Sequence, residues 1–277
     1  DSRGSRRINN LPRSQFATTI HFNCQPIPKR RRIMCTLERK GNLFVLTLTG
    51  DDDHRLNPTV ITTILDHLRQ AKAQSTRGCA LVTVSQGKFF SNGFDLPWAH
   101  AQSGGSKLKA MELLHEMVSM FRPVAAELIS LPMPTVAAIS GHAAAAGLLF
   151  ALCHDYVLMR SDRGVLYMPE VDIGLPLPDY FNALFRDKVG SVSARRDLLL
   201  GGRRVKGNEA VRVGLVDSAH DSEAGLAEAT MRVAEGLAKR KWDGEIYKEI
   251  RKNMYPELCG VLGLELKDPN SVSKSKL

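Results

Sequence analysis

The chain has no long apolar run. The longest, Ala143 to Cys153, falls short of the roughly 18 residues a bilayer-spanning helix needs, so the sequence reads as that of a soluble protein with no membrane span. It has no C-x-x-C spacing either. The cysteines Cys24, Cys35, Cys79, Cys153 and Cys259 are odd in number and scattered, which argues against a disulfide frame and a zinc site and suggests buried thiols in a reducing compartment. A G-x-S-x-G elbow and a G-x-x-x-x-G-K-[ST] loop are both missing, so serine hydrolase and nucleotidase readings fall. No metal site is expected. Residues 34 to 260 contain no clear repeat and no Pro- or Gly-rich linker.

Acidic residues are scarce at one end. Residues 1–33 carry eight Arg and Lys against Asp1 alone, so seven of the nine net positive charges lie there and the remainder is almost balanced. Basicity therefore makes no case for a nucleic-acid partner. A basic arm for nucleic acid or membrane would bind salt-sensitively and be lost on deleting residues 1–33. The segment is rich in Arg, Ser, Asn and Pro without periodicity, and is read as a disordered extension, with Met34 as the natural start. An Arg-rich transit peptide is the alternative. The last three residues, Ser275, Lys276 and Leu277, match the peroxisomal import signal that a receptor reads at a free C-terminus.

What is present is concentrated between Ile139 and Glu170. An apolar strand, Thr135 to Ile139, runs into Gly141, a turn of small residues, and Gly147 at the head of a short apolar helix. Small residues let a ligand approach the main chain, and helix N-terminal amides point outward with partial positive charge. Such amides can hold a developing oxyanion. Glu170 follows among Val165, Leu166, Tyr167, Met168 and Val171, where desolvation would raise its pKa toward proton transfer. An amide clamp and one base suffice for enolate chemistry.

Periodicity predicts strands at Met34 to Glu38, around Leu43 to Leu48, at Cys79 to Val84 and at Thr135 to Ile139. A helix is expected from Pro58 to about Ala73 with Asn57 as cap, and a second along Met111, Leu114, Val118, Phe121, Ala125 and Leu128, kinked or broken at Pro123. Ser85 to Asp95 reads as loop. From Pro178 onward the chain reads as helical, near 178–187, 191–200, 207–213, 221–240 and 243–254. The whole is an α/β protein of β-β-α or β-α units with crossover connections.

Five phrases in order, R-L-N-P (Arg55 to Pro58), K-F-F-S-N-G-F-D (Lys88 to Asp95), P-M-P-T-V-A-A-I-S-G-H-A-A-A-A-G (Pro132 to Gly147), H-D-Y-V-L-M (His154 to Met159) and M-P-E-V-D-I-G-L (Met168 to Leu175), resemble the crotonase (enoyl-CoA hydratase/isomerase) superfamily. With the S-K-L ending they look most like its plant peroxisomal Δ3,Δ2-enoyl-CoA isomerases. The resemblance implies a crotonase-like spiral of repeated β-β-α units with a C-terminal helical region: core 34–190, helices 191–260, and a flexible tail 261–277. It implies a peroxisomal homotrimer or hexamer acting on an acyl-CoA thioester, with no cofactor beyond the coenzyme A of the substrate.

Carried over residue by residue, the oxyanion amides are those of Phe94 and Gly147, and the base is Glu170. Arg55 and Leu56 match the loop at the CoA moiety, while Ser91, Asn92, Gly93 and Asp95 flank the first amide. Asp95 is also a natural turn or cap residue. Hydratases of the family carry a second glutamate in the helix after the glycine-rich turn, where this chain has Leu149; isomerisation needs no water, so isomerase is favoured over hydratase. Other crotonase reactions, and a non-catalytic acyl-CoA-binding homologue, are the alternatives. Ala144, Ala145 and Ala146 stand where relatives often have glycines, and Pro176-Leu177-Pro178 follows the base. His142 reads as a satisfied turn histidine and His54 as a solvated loop residue; Asp172 and Asp179 are fallback bases.

Overall fold

The computed structural model describes residues 34–267. The chain opens as a hairpin, β1 (Cys35–Lys40) and β2 (Leu43–Leu48), closed by a two-residue turn in which Gly41 takes φ 61°. Helix α1 (Pro58–Ala73) starts where expected: Asn57 accepts a hydrogen bond from the Val60 amide at 3.1 Å and Pro58 occupies the first turn. Its Val60, Ile61, Ile64, Leu68 and Ala71 are buried at helical spacing.

Three β-β-α turns follow. The first is β3 (Ala80–Ser85), β4 (Phe89–Ser91) and the helices α2 (Leu96–Gln102) and α3 (Lys107–Ser130). The second is β5 (Thr135–Ile139), β6 (His142–Ala144) and α4 (Ala146–Leu152). The third is β7 (Tyr156–Arg160), β8 (Leu166–Tyr167) and α5 (Glu170–Ile173). In each turn the first strand joins a six-stranded sheet, ordered β1-β2-β3-β5-β7-β9, and the second joins a three-stranded sheet, β4-β6-β8. Among the described residues all strand-to-strand pairings beyond the opening hairpin are parallel, and one isolated antiparallel bridge joins Leu166 to Val205. This is the expected spiral.

The chain then runs through α6 (Asp179–Lys188), α7 (Val192–Leu199), α8 (Gly207–Arg212), β9 (Ser218–His220), α9 (Glu223–Lys239), α10 (Gly244–Met254) and α11 (Pro256–Leu262). The region read as helical thus also supplies β9, which pairs with β7 at the sheet edge. Alternation on the large sheet divides the core. Val45, Val82, Val136, Ala138 and Leu158 face Leu226, Ala229, Ala234 and Ala238 of α9. Phe44, Leu46, Leu81, Ala137 and Met159 face the main core with α1, α3 and α4.

The structure corrects several sequence expectations. Ser85 to Asp95 contains β4, and the small-residue turn after Ile139 contains β6. Strands of three residues are too short to show a period and exist through their parallel neighbours. Pro123 does not end α3. It is exposed, as is Ser119, whose carbonyl loses its helical donor there, so water can replace the missing bond. His54 is 3% exposed, with Nδ1 2.8 Å from the Phe89 carbonyl; the three aspartates before it made it look solvated. One buried ion pair ties the C-terminal helices on: Arg251 of α10 donates to both carboxylate oxygens of Asp155 at 2.6 Å and to the carbonyls of Leu131 and Met133.

Candidate active site

The three-stranded sheet aligns three chain segments at its carboxyl edge. Beyond β4 comes Phe94, beyond β6 comes Gly147 and beyond β8 comes Glu170, each the third residue after its strand ends. Because the strands are parallel neighbours, these three departures lie side by side. Ligands of parallel α/β sheets gather at that edge. The inner face of the sheet, Phe90, Ala143 and Leu166, is wholly buried and anchors it to the core.

The first segment is built to expose one amide. Leu56 donates to the Gly93 carbonyl at 2.8 Å and accepts from the Asp95 amide at 3.2 Å, so the Phe94 N–H between them points away from Leu56 and has no acceptor among the described residues. Ser91, fully buried, steadies the turn: its hydroxyl donates to the His54 carbonyl at 2.7 Å and accepts from the Gly93 amide at 3.3 Å. Gly93 takes φ 75°, and a β-carbon on it would lie 2.9 Å from that of Ala145. The loop therefore rests directly on the start of α4.

At α4 the Ala146 and Gly147 amides lack acceptors among the described residues, while Ala145 accepts from Leu148 and Leu149. Ala145 itself, with φ 51° and ψ −130°, is in a conformation that glycine tolerates and alanine does not favour. Its amide donates to the Tyr167 carbonyl at 3.1 Å, which links the second segment to the third. Leu149, which the resemblance aligns with the second glutamate expected of a hydratase, is wholly buried in this helix.

Glu170 opens α5. Its Oε2 is buried without a hydrogen-bond partner among the described residues, and burial pushes the carboxyl pKa up from 4.5 to about 7, against a small opposing effect of its own amide. The Glu170 carbonyl accepts from the amides of Gly174, in a left-handed C-cap, and of Leu175 at 3.0 Å, so the Pro176-Leu177-Pro178 stretch leaves from a fixed point. Asn182 holds that stretch from the other side, donating to the Leu177 and Pro178 carbonyls.

The remaining expected residues divide. Arg55 pairs with Asp53 at 3.1 Å and stays partly exposed. The Leu56 amide and carbonyl are both used internally, to Gly93 and Asp95, and its side chain is buried, so a ligand could meet it only through the second lone pair of that carbonyl. Asn92 donates from its amide to Asp53, and Asp95 caps α2 by accepting from Trp98 at 3.0 Å while holding the side chain of Asn57. Asp179 pairs with Arg122, and Asp172 packs against Gly202. His142 is not the satisfied histidine expected, for its buried Nδ1 has no partner among the described residues; it sits at the opposite, amino edge of the small sheet, against Phe89. Sequence reasoning placed Ser91 beside the first amide but missed His54 as a support of it, and its one pointer to Ala145 was the alanine run itself. Ser275, Lys276 and Leu277 lie outside the described residues, as does the 1–33 segment. Among the described residues no group of three His, Cys, Asp or Glu could hold a metal ion, and no helix is long and apolar enough to cross a membrane.

The family model for enoyl-CoA hydratase/isomerase matches residues 38–258. The chain is 63% identical over 233 residues to the peroxisomal enoyl-CoA delta isomerase 2 of Arabidopsis thaliana, covering 84% of this chain and 96% of that one. It is 60% identical over 232 residues to enoyl-CoA delta isomerase 3 of the same plant, covering 83% and 96%. Among solved structures, a probable enoyl-CoA hydratase from Mycobacterium tuberculosis superposes with a TM-score of 0.72 at 20% identity, over 83% of this chain and 92% of the other. An enoyl-CoA hydratase from Bacillus halodurans gives 0.72 at 18% identity, over 83% and 91%. These structures show a shared fold. The chain belongs to the enoyl-CoA hydratase/isomerase family.

Proposed function

We propose that this protein is a Δ3,Δ2-enoyl-CoA isomerase that shifts the double bond of a 3-enoyl-CoA to give trans-2-enoyl-CoA in peroxisomal β-oxidation of unsaturated fatty acids. The observation that carries the reading is the buried, unpartnered Oε2 of Glu170 at the edge where the Phe94, Ala146 and Gly147 amides lack acceptors among the described residues, with Leu149 in place of a second carboxylate. Two relatives named as enoyl-CoA delta isomerases support it.

In the proposed mechanism the Phe94 and Gly147 amides donate to the thioester oxygen, and Glu170 takes a proton from C2. The C–H electrons enter the enolate, whose oxygen charge the amides stabilise. When the enolate collapses, C2=C3 forms and the electrons of the old C3=C4 bond take the proton back from Glu170 at C4. No atom is gained or lost. A carboxyl with a pKa of about 7 suits both halves, since base and conjugate acid are each populated near neutrality. With no second carboxylate to activate water, hydration is disfavoured.

The substrate supplies its own coenzyme A, with Arg55 and the Leu56 carbonyl as proposed contacts to that moiety, Asn92 and Gly93 beside the thioester, and Ser91 and Asp95 holding the loop. The S-K-L ending and the name of one relative support a peroxisomal location and an import receptor as partner. Assembly as a homotrimer or hexamer follows from the resemblance. Purified protein given 3-enoyl-CoA is expected to form trans-2-enoyl-CoA, and Glu170→Gln to abolish turnover while sparing binding of the CoA ester. A fully active Gln variant, or 3-hydroxyacyl-CoA or free CoA as the main product from 2-enoyl-CoA, would overturn the reading.

A further inference from the structure

We propose that Phe121, in the middle of α3, is a positioning residue that sets the separation of the two oxyanion amides. The inference rests on the reading of the Phe94 and Gly147 amides as the clamp. The Phe121 ring meets the Phe94 ring edge-to-face, with centroids 5.9 Å apart at 85°, and meets the Phe150 ring in the same manner at 6.1 Å and 75°. Phe94 carries one clamp amide. Phe150 lies in α4 one helical turn after Gly147, which carries the other. A single ring therefore grips both segments.

Other links between those segments do not do this. The ladder between β4 and β6 ends at the Ser91–Ala143 pair, and among the described residues no hydrogen bond joins residues 92–95 to residues 145–150. The close contacts of Gly93 with Ala145 and of Gly147 with Ser91 are steric stops, limiting how near the segments come without drawing them together. Attraction comes from the aromatic row, where edge-to-face pairs add to the effect of burial. The row is braced at its ends, because Phe181 stacks on Phe94 at 6.3 Å and Phe90 stacks on Phe150 at 5.9 Å. Phe121 is fully buried and touches no solvent, so its influence on chemistry must pass through Phe94 and Phe150.

The test compares Phe121→Met with Phe44→Met. Both exchanges leave a flexible apolar side chain at a buried site, but Phe44 lies in β2 with no ring contact to Phe94 or Phe150. The readout is the infrared carbonyl stretch of a bound, ¹³C-labelled, non-isomerisable acyl-CoA thioester, which falls when the oxygen is gripped, together with kcat and KM on 3-enoyl-CoA. In Phe121→Met the stretch is expected to return toward its free-solution value and kcat to fall by about tenfold or more, with KM changed by less than about threefold. Phe44→Met should keep the wild-type stretch even where its melting temperature falls as far. A wild-type stretch and kcat in Phe121→Met, or an equal spectral loss in Phe44→Met, would overturn the inference and leave the clamp reading standing. Absence of any shift in the unmodified protein would overturn both. If Phe121→Met does not fold, Phe150→Met breaks the other half of the bridge and must give the same spectral change.

Discussion

Gly147 lies against the main chain of Ser91 so closely that a β-carbon on it would stand 2.2 Å from the Ser91 carbonyl oxygen and 2.6 Å from its carbon. Neither partner is a flexible side-chain tip, and Ser91 is itself fixed by its bonds to His54 and Gly93. Gly147→Ala must therefore push α4 away from β4 and move one clamp amide relative to the other. Turnover should fall on the order of 10²- to 10³-fold, the cost of losing an oxyanion donor. Stability should fall by about 1–3 kcal/mol, as for overpacking. Steady-state kinetics and urea unfolding read the two effects, and activity within a few-fold of wild type would deny the Gly147 amide its role.

Glu170 should make the reaction pH-dependent in a defined direction. The base must be ionised to take the C2 proton, and its pKa is raised to about 7 by burial, so kcat/KM should climb with pH up to about 7 and level off above it. Stability should move the opposite way. The unfolded carboxyl loses its proton near 4.5 and the folded one near 7, so in that interval the folded state binds more protons and stability falls as pH rises. Glu170→Gln removes that loss. The variant should melt higher than wild type at pH 8, and the gain should disappear near pH 4.5. A pH–rate profile already flat at pH 5 would show that the carboxylate is not the base.

How much of this was legible beforehand depended on the length scale of the signal. Four strands of the large sheet, β1, β2, β3 and β5, and the helices after Pro178 were readable because runs such as Leu43 to Leu48 and Leu226 to Ala238 carry their own period or apolar density. β4, β6 and β8 carry none. With three, three and two residues, they are defined by hydrogen bonds to strands dozens of residues away, so the small sheet that aligns the site was invisible as a sheet although each of its exits was noticed as a motif. Asp95 was legible as a cap because capping is local. His54 was not, because its partner, the Phe89 carbonyl, belongs to another turn of the spiral.

Ala145 offers a test of stored strain. Its φ of 51° and ψ of −130° place an alanine in glycine territory at the junction of β6 and α4. Replacing it by glycine should relieve the backbone while removing only a methyl that packs on Gly93. Ala145→Gly is therefore expected to raise unfolding stability by about 0.5–1 kcal/mol, net of the added freedom of the unfolded chain. A shift in the urea midpoint at constant m reports it. A lower midpoint would show that the methyl contact with Gly93 outweighs the strain.

The Asp155–Arg251 pair makes the last prediction, because its two halves are not equivalent. Arg251 also donates to the carbonyls of Leu128, Ile129, Leu131 and Met133 at the end of α3 and before β5, whereas Asp155 also accepts from the Thr135 amide and the Tyr247 hydroxyl. Arg251→Met strands the carbonyls of Ile129, Leu131 and Met133, Leu128 keeping the Leu131 amide, and leaves a buried carboxylate without its cation, so it should cost about 3–5 kcal/mol or more. Asp155→Asn keeps an acceptor for Thr135 and Tyr247 and should cost less, and the double variant should cost less than the two singles summed. The pair also gives a sign in acid. Burial alone would raise the Asp155 pKa, but the Arg251 guanidinium leaves it lowered, so its stabilisation is present above the unfolded carboxyl pKa and is lost as pH falls through the folded one. Wild type should therefore lose stability below about pH 4 more steeply than Asp155→Asn. Parallel acid-unfolding curves for the two proteins would mean the pair is not what fastens α10 to the core.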